Sequence, residues 1–163
     1  MKLFVPVLII IVLISSCKKD SSCGYSDSSA VAPATEIQQL HDSLAKYSIS
    51  ATQDNSGFFY KINNPGSNPF VSNLCSNITL TYKGKFFNGT VFDSTAAGAV
   101  TNFQLGQLIV GWQKGIPLIK KGGDIDLYIP PSLGFGAAPR TGGPVTIPAN
   151  SYLVFNVHIV DIQ

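Results

Sequence analysis

The sequence has little net charge, few histidines and no closely spaced pair of cysteines. Its 163 residues carry 11 Lys or Arg against 9 Asp or Glu, and no basic run is longer than two residues. This balance argues against the basic patch with which proteins bind nucleic acids. The two histidines, His41 and His158, are far apart in the chain, and no Cys-x-x-Cys occurs. We therefore expect no metal site.

The residue groupings that carry covalent or phosphate chemistry are also missing. There is no Ser/His/Asp arrangement, no Cys/His pair and no glycine-rich phosphate loop ahead of a helix. We therefore expect no cofactor and no nucleophilic catalysis. The chain is 45% hydrophobic, so it can form a core, and its length allows one domain with extensions.

The N-terminus is typical of a targeting signal. Lys2 precedes an apolar run over residues 3–14, which suits a signal peptide and is short for a membrane-spanning helix. The run ends in Ile-Ser-Ser-Cys17, which resembles the lipobox of bacterial lipoproteins. The resemblance implies a lipoprotein signal peptide over residues 1–16 and a lipid anchor on Cys17. An ordinary secretory signal with an incidental cysteine is the alternative.

Residues 17–34 are polar, rich in serine and without periodicity, which predicts a flexible tether. Cys23 lies in this tether and Cys75 lies in the domain. An oxidising compartment would permit a disulfide between them. Their separation in sequence does not give their distance in space, so the pairing stays open.

Residues 35–50 are predicted to contain an N-terminal helix. Apolar residues recur there at helical spacing and form one stripe, made of Ile37, Leu40, Leu44 and Tyr47. Such a stripe packs either on its own domain or against a second copy of the chain. The oligomeric state therefore stays open.

Residues 57–163 have the pattern of an α+β domain. Strands are predicted over residues 57–62, 77–83, 90–93, 124–129 and 152–162. Asn88-Gly89 predicts a hairpin between the second and third of these strands. Glycine and proline confine a helix at Trp112, the only tryptophan, to about two turns. Because this helix is apolar all round, other elements must cover it.

Five segments of this domain occur in a recognisable order. They contain Leu-Thr-Tyr82-Lys-Gly, Asn-Gly-Thr-Val-Phe-Asp93-Ser, Gly-Trp112, Ile-Pro-Pro-Ser-Leu-Gly-Phe135-Gly and Ile-Pro-Ala-Asn-Ser-Tyr-Leu-Val-Phe155. Together they resemble the FKBP-type peptidyl-prolyl cis-trans isomerase domain. The resemblance implies a twisted antiparallel sheet wrapped around one short central helix. It also implies a pocket for proline-containing peptides and unfolded proteins.

The resemblance further implies which residues form that pocket. Catalytic roles fall on Tyr82, Phe92, Asp93, Ile109, Trp112 and Phe155. Substrate binding falls on Leu108, Phe135 and Ile147. In this arrangement Trp112 is the floor beneath the proline ring, and Ile109 offers its backbone N–H to a substrate carbonyl.

Three positions depart from the family pattern. Phe135 stands where the family usually has tyrosine, so a hydroxyl donor is missing. Residues 95–100 contain no arginine, whereas well-known members place one there beside the aspartate. A further aromatic wall position is occupied by Thr101, which predicts a pocket that is more open on that side.

These features predict a lipid-anchored isomerase of the bacterial cell envelope that assists protein folding, facing the periplasm or exposed at the surface. Catalysis would rest on non-covalent stabilisation of the twisted X-Pro amide in an apolar pocket. One alternative is a non-catalytic chaperone or peptide-binding lipoprotein that uses the same pocket or the loop 136–148. A weaker alternative is a purely structural envelope lipoprotein.

Overall fold

The computed structural model describes residues 23–141 and 143–163, and the predicted signal peptide and Cys17 lie outside them. The described helices are α1 (Ala34–Lys46) and α2 (Val110–Gly115), with 3₁₀ turns at Leu105–Gln107, Ile116–Leu118 and Pro131–Leu133. The strands are β1 (Thr52–Gln53), β2 (Phe59–Asn64), β3 (Ser67–Phe70), β4 (Asn77–Lys85), β5 (Val91–Ser94), β6 (Thr101–Gln104), β7 (Lys120–Lys121), β8 (Asp124–Ile129) and β9 (Leu153–Ile162). None of the described helices is both long and apolar enough to cross a membrane.

Seven strands form one antiparallel sheet in the order β1-β2-β8-β9-β4-β5, with β6 also paired to β4. β5 pairs with residues 83–85 of β4, and β6 pairs with residues 77–80 of the same strand. The chain between β5 and β6 therefore leaves the sheet and returns to it. All five predicted strands occur, and the α+β prediction of a sheet around a short helix is confirmed.

Helix α2 packs against one face of this sheet. A Cβ atom on Gly111 would lie 2.7 Å from the Ile129 side chain, and one on Gly115 would lie 2.4 Å from the Leu127 side chain. Only glycine allows the helix to approach β8 so closely. The core between helix and sheet includes the fully buried side chains of Ile78, Leu80, Leu105, Ile116, Ile119, Leu127, Ile129, Leu133, Leu153 and Ile159.

Helix α1 covers the opposite face of the sheet. Leu40 and Leu44 are buried there in a second apolar cluster whose other buried members are Phe59, Tyr128 and Val154. Because strand side chains alternate between faces, Tyr128 points away from the core that its neighbours Leu127 and Ile129 line. The apolar stripe of α1 therefore packs on its own domain, which was one of the two arrangements left open.

Residues 23–33 lie against the domain. Cys23 and Cys75 form a disulfide, with 5.5 Å between their Cα atoms. The Tyr25 ring covers Gly106 so closely that a Cβ there would lie 2.3 Å from it. Ala32 is buried, and its N–H donates to the Ser56 carbonyl. This part of the predicted tether is therefore not a free linker, because a covalent bond and apolar contacts hold it.

Candidate active site

Aromatic rings surround the Trp112 side chain, which is buried at 4% exposure. Edge-to-face contacts join the indole to Phe155, Tyr82 and Phe103, with centroid separations of 5.1, 5.4 and 6.3 Å. Aromatic pairs favour this geometry because the positive ring edge meets the negative face. The rings enclose a hollow of about 420 Å³ that also borders Asp93, Gln107, Leu108, Ile109, Gly134, Phe135 and Arg140.

The rim of this hollow carries a polar pair. The Tyr82 hydroxyl donates to the Asp93 carboxylate at 2.5 Å. Burial raises the pKa of Tyr82 well above its ordinary value, and the hydrogen bond and negative charge of Asp93 raise that pKa further. The hydroxyl therefore remains a donor at neutral pH and keeps the carboxylate fixed at the pocket edge.

The start of α2 supplies a backbone donor to the same hollow. Ile109 precedes the helix, and its carbonyl accepts from the N–H groups of Trp112 and Gln113. The Gln113 side chain in turn donates to the Leu108 and Gly106 carbonyls, which fixes the approach to the helix. Within the described residues the Ile109 N–H has no hydrogen-bond acceptor. It is available to a ligand carbonyl.

A second hollow of about 360 Å³ adjoins the first. The two share Asp93, Phe135, Arg140 and Phe155, and the second also borders Phe92, Thr141, Gly143, Val145 and Ile147. Phe92 is buried edge-to-face against Phe155 at 5.5 Å. The structure thus places all nine predicted pocket residues around two adjoining hollows. Seven of them, including Trp112 itself, border the first hollow, whereas Phe92 and Ile147 border only the second.

Four residues that line the hollow over Trp112 were not predicted from the sequence: Phe103, Gln107, Gly134 and Arg140. Phe103 lines the hollow two positions after Thr101, and the more open side that Thr101 predicts stays a prediction. Both residues lie on β6, and Phe103 packs against both Tyr82 and Trp112. The alternation of β6 could have pointed to Phe103, but the strand is only four residues long. Arg140 lies in a glycine- and proline-rich loop that has no periodic signal.

A larger hollow of about 840 Å³ lies over the other face of the sheet, beneath residues 94–100. Its floor consists of paired polar side chains: Asn156 donates to Asp126 at 2.5 Å, and His158 lies 2.9 Å from Asp124. These groups satisfy one another, and the lining holds one aromatic residue, Tyr82. The smaller hollow over Trp112 is therefore the better candidate for an apolar ligand, because such pockets combine apolar walls with few polar groups.

Gly84 supports two aromatic walls from beneath, and Gly84→Ala tests their placement. An added Cβ would lie 2.5 Å from the Phe92 ring and 2.8 Å from the Phe155 ring, so both rings must shift. We expect the free energy of unfolding to fall by about 1–3 kcal/mol. Displaced walls should also lower the kcat/KM of any reaction in the pocket by roughly fivefold or more. Urea unfolding and a peptide assay measure the two effects.

Gly24→Ala is the matched control, since a Cβ at Gly24 has no atom within 4 Å. It should leave stability and activity unchanged. If Gly84→Ala behaved like Gly24→Ala, the two rings would not depend on the space that Gly84 leaves.

Comparison with known proteins identifies relatives of this domain. A family model described as FKBP-type peptidyl-prolyl cis-trans isomerase matches residues 72–160, more than half of the chain. The FKBP-type peptidyl-prolyl cis-trans isomerase FkpA of Buchnera aphidicola subsp. Schizaphis graminum is 40% identical over 113 residues, which are 69% of this chain and 43% of the relative. A probable FKBP-type isomerase of Haemophilus influenzae is 41% identical over 116 residues, 71% of this chain and 46% of the relative. The chain thus spans less than half the length of these two relatives.

Solved structures share the fold. The crystal structure of FkpA from Escherichia coli matches with a TM-score of 0.67 and 31% identity, covering 80% of this chain and 60% of that one. The crystal structure of AtFKBP13 matches with a TM-score of 0.62 and 30% identity, covering 70% of this chain and 99% of that one. The second match extends over nearly the whole of a single solved chain.

Proposed function

Because the chain belongs to the FKBP-type peptidyl-prolyl cis-trans isomerase family, we propose that it catalyses the cis-trans isomerisation of X-Pro bonds in the hollow over Trp112. Its substrates are proline-containing peptides and unfolded proteins. The matched relatives are more than twice as long as the region that they share with this chain. Their similarity therefore shows the family of the domain, and the activity and substrates of this chain are proposed from its own pocket. The observation that carries it is the Trp112 indole, enclosed by three aromatic rings beside a fixed Tyr82–Asp93 pair.

The chemistry of the reaction suits such a pocket. Rotation about the X-Pro bond is slow because the amide must lose its resonance in the twisted state. The twisted amide has less charge on its carbonyl oxygen than the planar amide, so it loses less by leaving water. A hollow lined by aromatic rings therefore binds the twisted state better than the planar state, which lowers the barrier.

Six of the residues around the hollow then have a physical role. Trp112 supports the proline ring, and the edges of Phe155 and Phe103 limit its position. The Ile109 N–H, which has no acceptor in the described part of the chain, donates to the carbonyl of the proline, which holds the C-terminal side of the peptide still. The Tyr82–Asp93 pair orients the amide by its local field, since the reaction transfers no proton.

The test is a protease-coupled or exchange-spectroscopy assay with an X-Pro peptide. The protein assayed should retain Cys23, because the chain from Ala34 onward lacks half of the disulfide. We expect a rate above the uncatalysed one that falls sharply in Trp112→Ala combined with Asp93→Val. A purified, folded protein with no rate above background would exclude the isomerase function.

The pH profile gives an independent prediction. Since no proton is transferred and the pKa of Tyr82 is raised by burial and by Asp93, kcat/KM should stay constant from about pH 6 to about pH 9. A bell-shaped rate profile with its maximum near neutral pH would contradict this proton-free mechanism.

Tyr128 gives a separate prediction, on the pH dependence of stability. Burial and the charge of Asp126 raise the pKa of Tyr128 to about 12 in the folded chain. The unfolded chain releases tyrosine protons near pH 10, so the stability linked to Tyr128 is complete below pH 10 and is lost between about pH 10 and about 12. Tyr128→Phe should reduce that loss in urea titrations.

A non-catalytic peptide-binding function is the second candidate. Phe135 lacks the hydroxyl that a tyrosine would offer, and residues 95–100 carry no arginine. These differences favour the binding of a peptide over the catalysis of its cis-trans isomerisation. The two functions separate when aggregation and isomerisation are measured together. A non-catalytic chaperone suppresses aggregation without an isomerisation rate above background, and one that uses the loop 136–148 still does so in Trp112→Ala.

We also propose that Cys17 carries a lipid and anchors the protein in the bacterial cell envelope. The support is the sequence Ile-Ser-Ser-Cys17 after an apolar run. Several acyl chains on one residue give stable anchoring, whereas one chain does not. Cys17→Ala should move the protein from the membrane fraction to the soluble fraction. An unchanged distribution would contradict lipidation at this cysteine.

A further inference from the structure

We propose that Arg140 makes the pocket selective for peptides in which an acidic residue precedes the proline. This inference rests on the proposed isomerase function and assigns a substrate preference to the same site. It is carried by the position of Arg140, the fixed geometry of its backbone and the charges around it.

The backbone of Arg140 is held in place within its loop. Its N–H donates to the Ile147 carbonyl at 2.9 Å, and the Ile147 N–H donates back to its carbonyl at 3.0 Å. Ile147 is itself buried among the core residues. These two bonds form an isolated antiparallel bridge. The base of the arginine side chain is therefore anchored to the domain, although the loop around it is irregular.

The side chain extends over the pocket wall. The Arg140 guanidinium lies over the Phe135 ring, 5.0 Å from its centroid, and Arg140 lines both hollows. A guanidinium stacked on an aromatic face remains charged and keeps its N–H edges free for hydrogen bonds. The Phe135 ring thus holds the Arg140 guanidinium at the mouth of the pocket, at the position where the usual tyrosine of the family would place a hydroxyl.

The charge of Arg140 has no carboxylate partner within the part of the chain that the structure describes, where the ion pairs involve His41, Lys121 and His158. It is also the only arginine in the sequence. The other charged group at these hollows is Asp93, whose carboxylate accepts the Tyr82 hydroxyl. A ligand carboxylate can therefore pair with the Arg140 guanidinium. The Asp93 carboxylate, which would attract a ligand cation, already accepts the Tyr82 hydroxyl.

The placement of the peptide decides which of its residues meets Arg140. Ile109 borders only the hollow over Trp112. In the proposed complex its N–H, which has no acceptor among the described residues, donates to the carbonyl of the proline. The residue before the proline then extends the other way, into the second hollow. That hollow combines apolar walls from Phe92 and Val145 with Arg140. A glutamate suits it, because its methylenes contact the walls while its carboxylate pairs with the guanidinium.

The test compares peptides that differ only in the residue before proline: Glu, Gln or Lys. With the full chain, we expect kcat/KM for the Glu peptide to exceed that for the Gln peptide by about two- to fivefold, as an exposed ion pair allows. The ratio should approach one at high salt, because salt screens exposed charges. In Arg140→Gln the ratio should fall to about one, and in Arg140→Glu the Lys peptide should become preferred.

Lys46→Gln is the matched control. It removes one positive charge that also lies over an aromatic ring, 5.7 Å from the Tyr47 centroid, but on α1 and outside both hollows. It should preserve the Glu/Gln ratio. A wild-type ratio of one, or a ratio that survives in Arg140→Gln, would overturn the inference while leaving the isomerase function intact.

Trp112 fluorescence extends the test to a protein without turnover. The single tryptophan lies in the pocket, so titration with each peptide reports binding directly. If no peptide is isomerised but the Glu peptide binds tighter in wild type than in Arg140→Gln, the isomerase function fails and the acidic preference stands. Equal affinities for the Glu and Gln peptides would refute the preference.

Discussion

In the Trp112→Ala variant, we expect kcat/KM for an X-Pro peptide to fall by about tenfold or more. The indole is the surface on which three aromatic rings converge, and its loss leaves the proline ring without a floor. We also expect the free energy of unfolding to fall by about 3–5 kcal/mol, since removing a buried large aromatic side chain leaves a cavity. The peptide assay and urea unfolding measure these two effects.

Two further variants separate catalysis from stability. Ile119 is fully buried and borders neither hollow, so Ile119→Ala should cost about 2–5 kcal/mol and retain kcat/KM well below its melting temperature. Trp112→Phe keeps an aromatic floor. The indole N–H is buried without a hydrogen-bond partner among the described residues, so losing that donor costs nothing in hydrogen bonding. If Ile119→Ala lost as much activity as Trp112→Ala, the Trp112 effect would reflect stability alone.

The strands that position this floor were predictable because their side chains alternate. β8 has its predicted bounds, and β9 begins one residue later than predicted, since a period of two over six to ten residues is a strong signal. The same alternation separates Leu127, which faces α2, from Tyr128, which faces α1. The short helix was predicted from the glycines and proline around Trp112. Two of those glycines, Gly111 and Gly115, also let it approach β8. The family motifs then led to the nine pocket residues, all of which border the two hollows.

Features set by tertiary contacts were not predictable in this way. β6 is too short for its period to show, so Phe103 was missed. Arg140 reaches the pocket because a single bridge to Ile147 folds its loop, and a bridge of one residue pair has no sequence pattern. Cys23 and Cys75 meet although they are 52 positions apart in the sequence. In each case the position depends on residues distant in the chain.

The disulfide between Cys23 and Cys75 should contribute about 2–4 kcal/mol to the free energy of unfolding. It closes a loop spanning 52 positions, for which the chain-entropy model gives about 4 kcal/mol. The lower bound allows for residual structure in the unfolded chain. In a chain with Cys17→Ser, adding Cys23→Ser and Cys75→Ser should lower the urea midpoint accordingly. Activity on a short peptide should be retained, because neither cysteine borders the two hollows.

Reductant supplies the matched comparison for this pair. Reduced Cys17→Ser protein should unfold at the midpoint of the triple-serine variant, and that variant should not respond to reductant. Without the covalent bond, residues 23–33 are held by contacts such as Tyr25 on Gly106 and the bond from Ala32 to Ser56. Because these contacts are few, proteolysis of the reduced protein should begin within residues 23–33 before the domain unfolds. Equal midpoints with and without reductant would show that the contacts alone hold the segment.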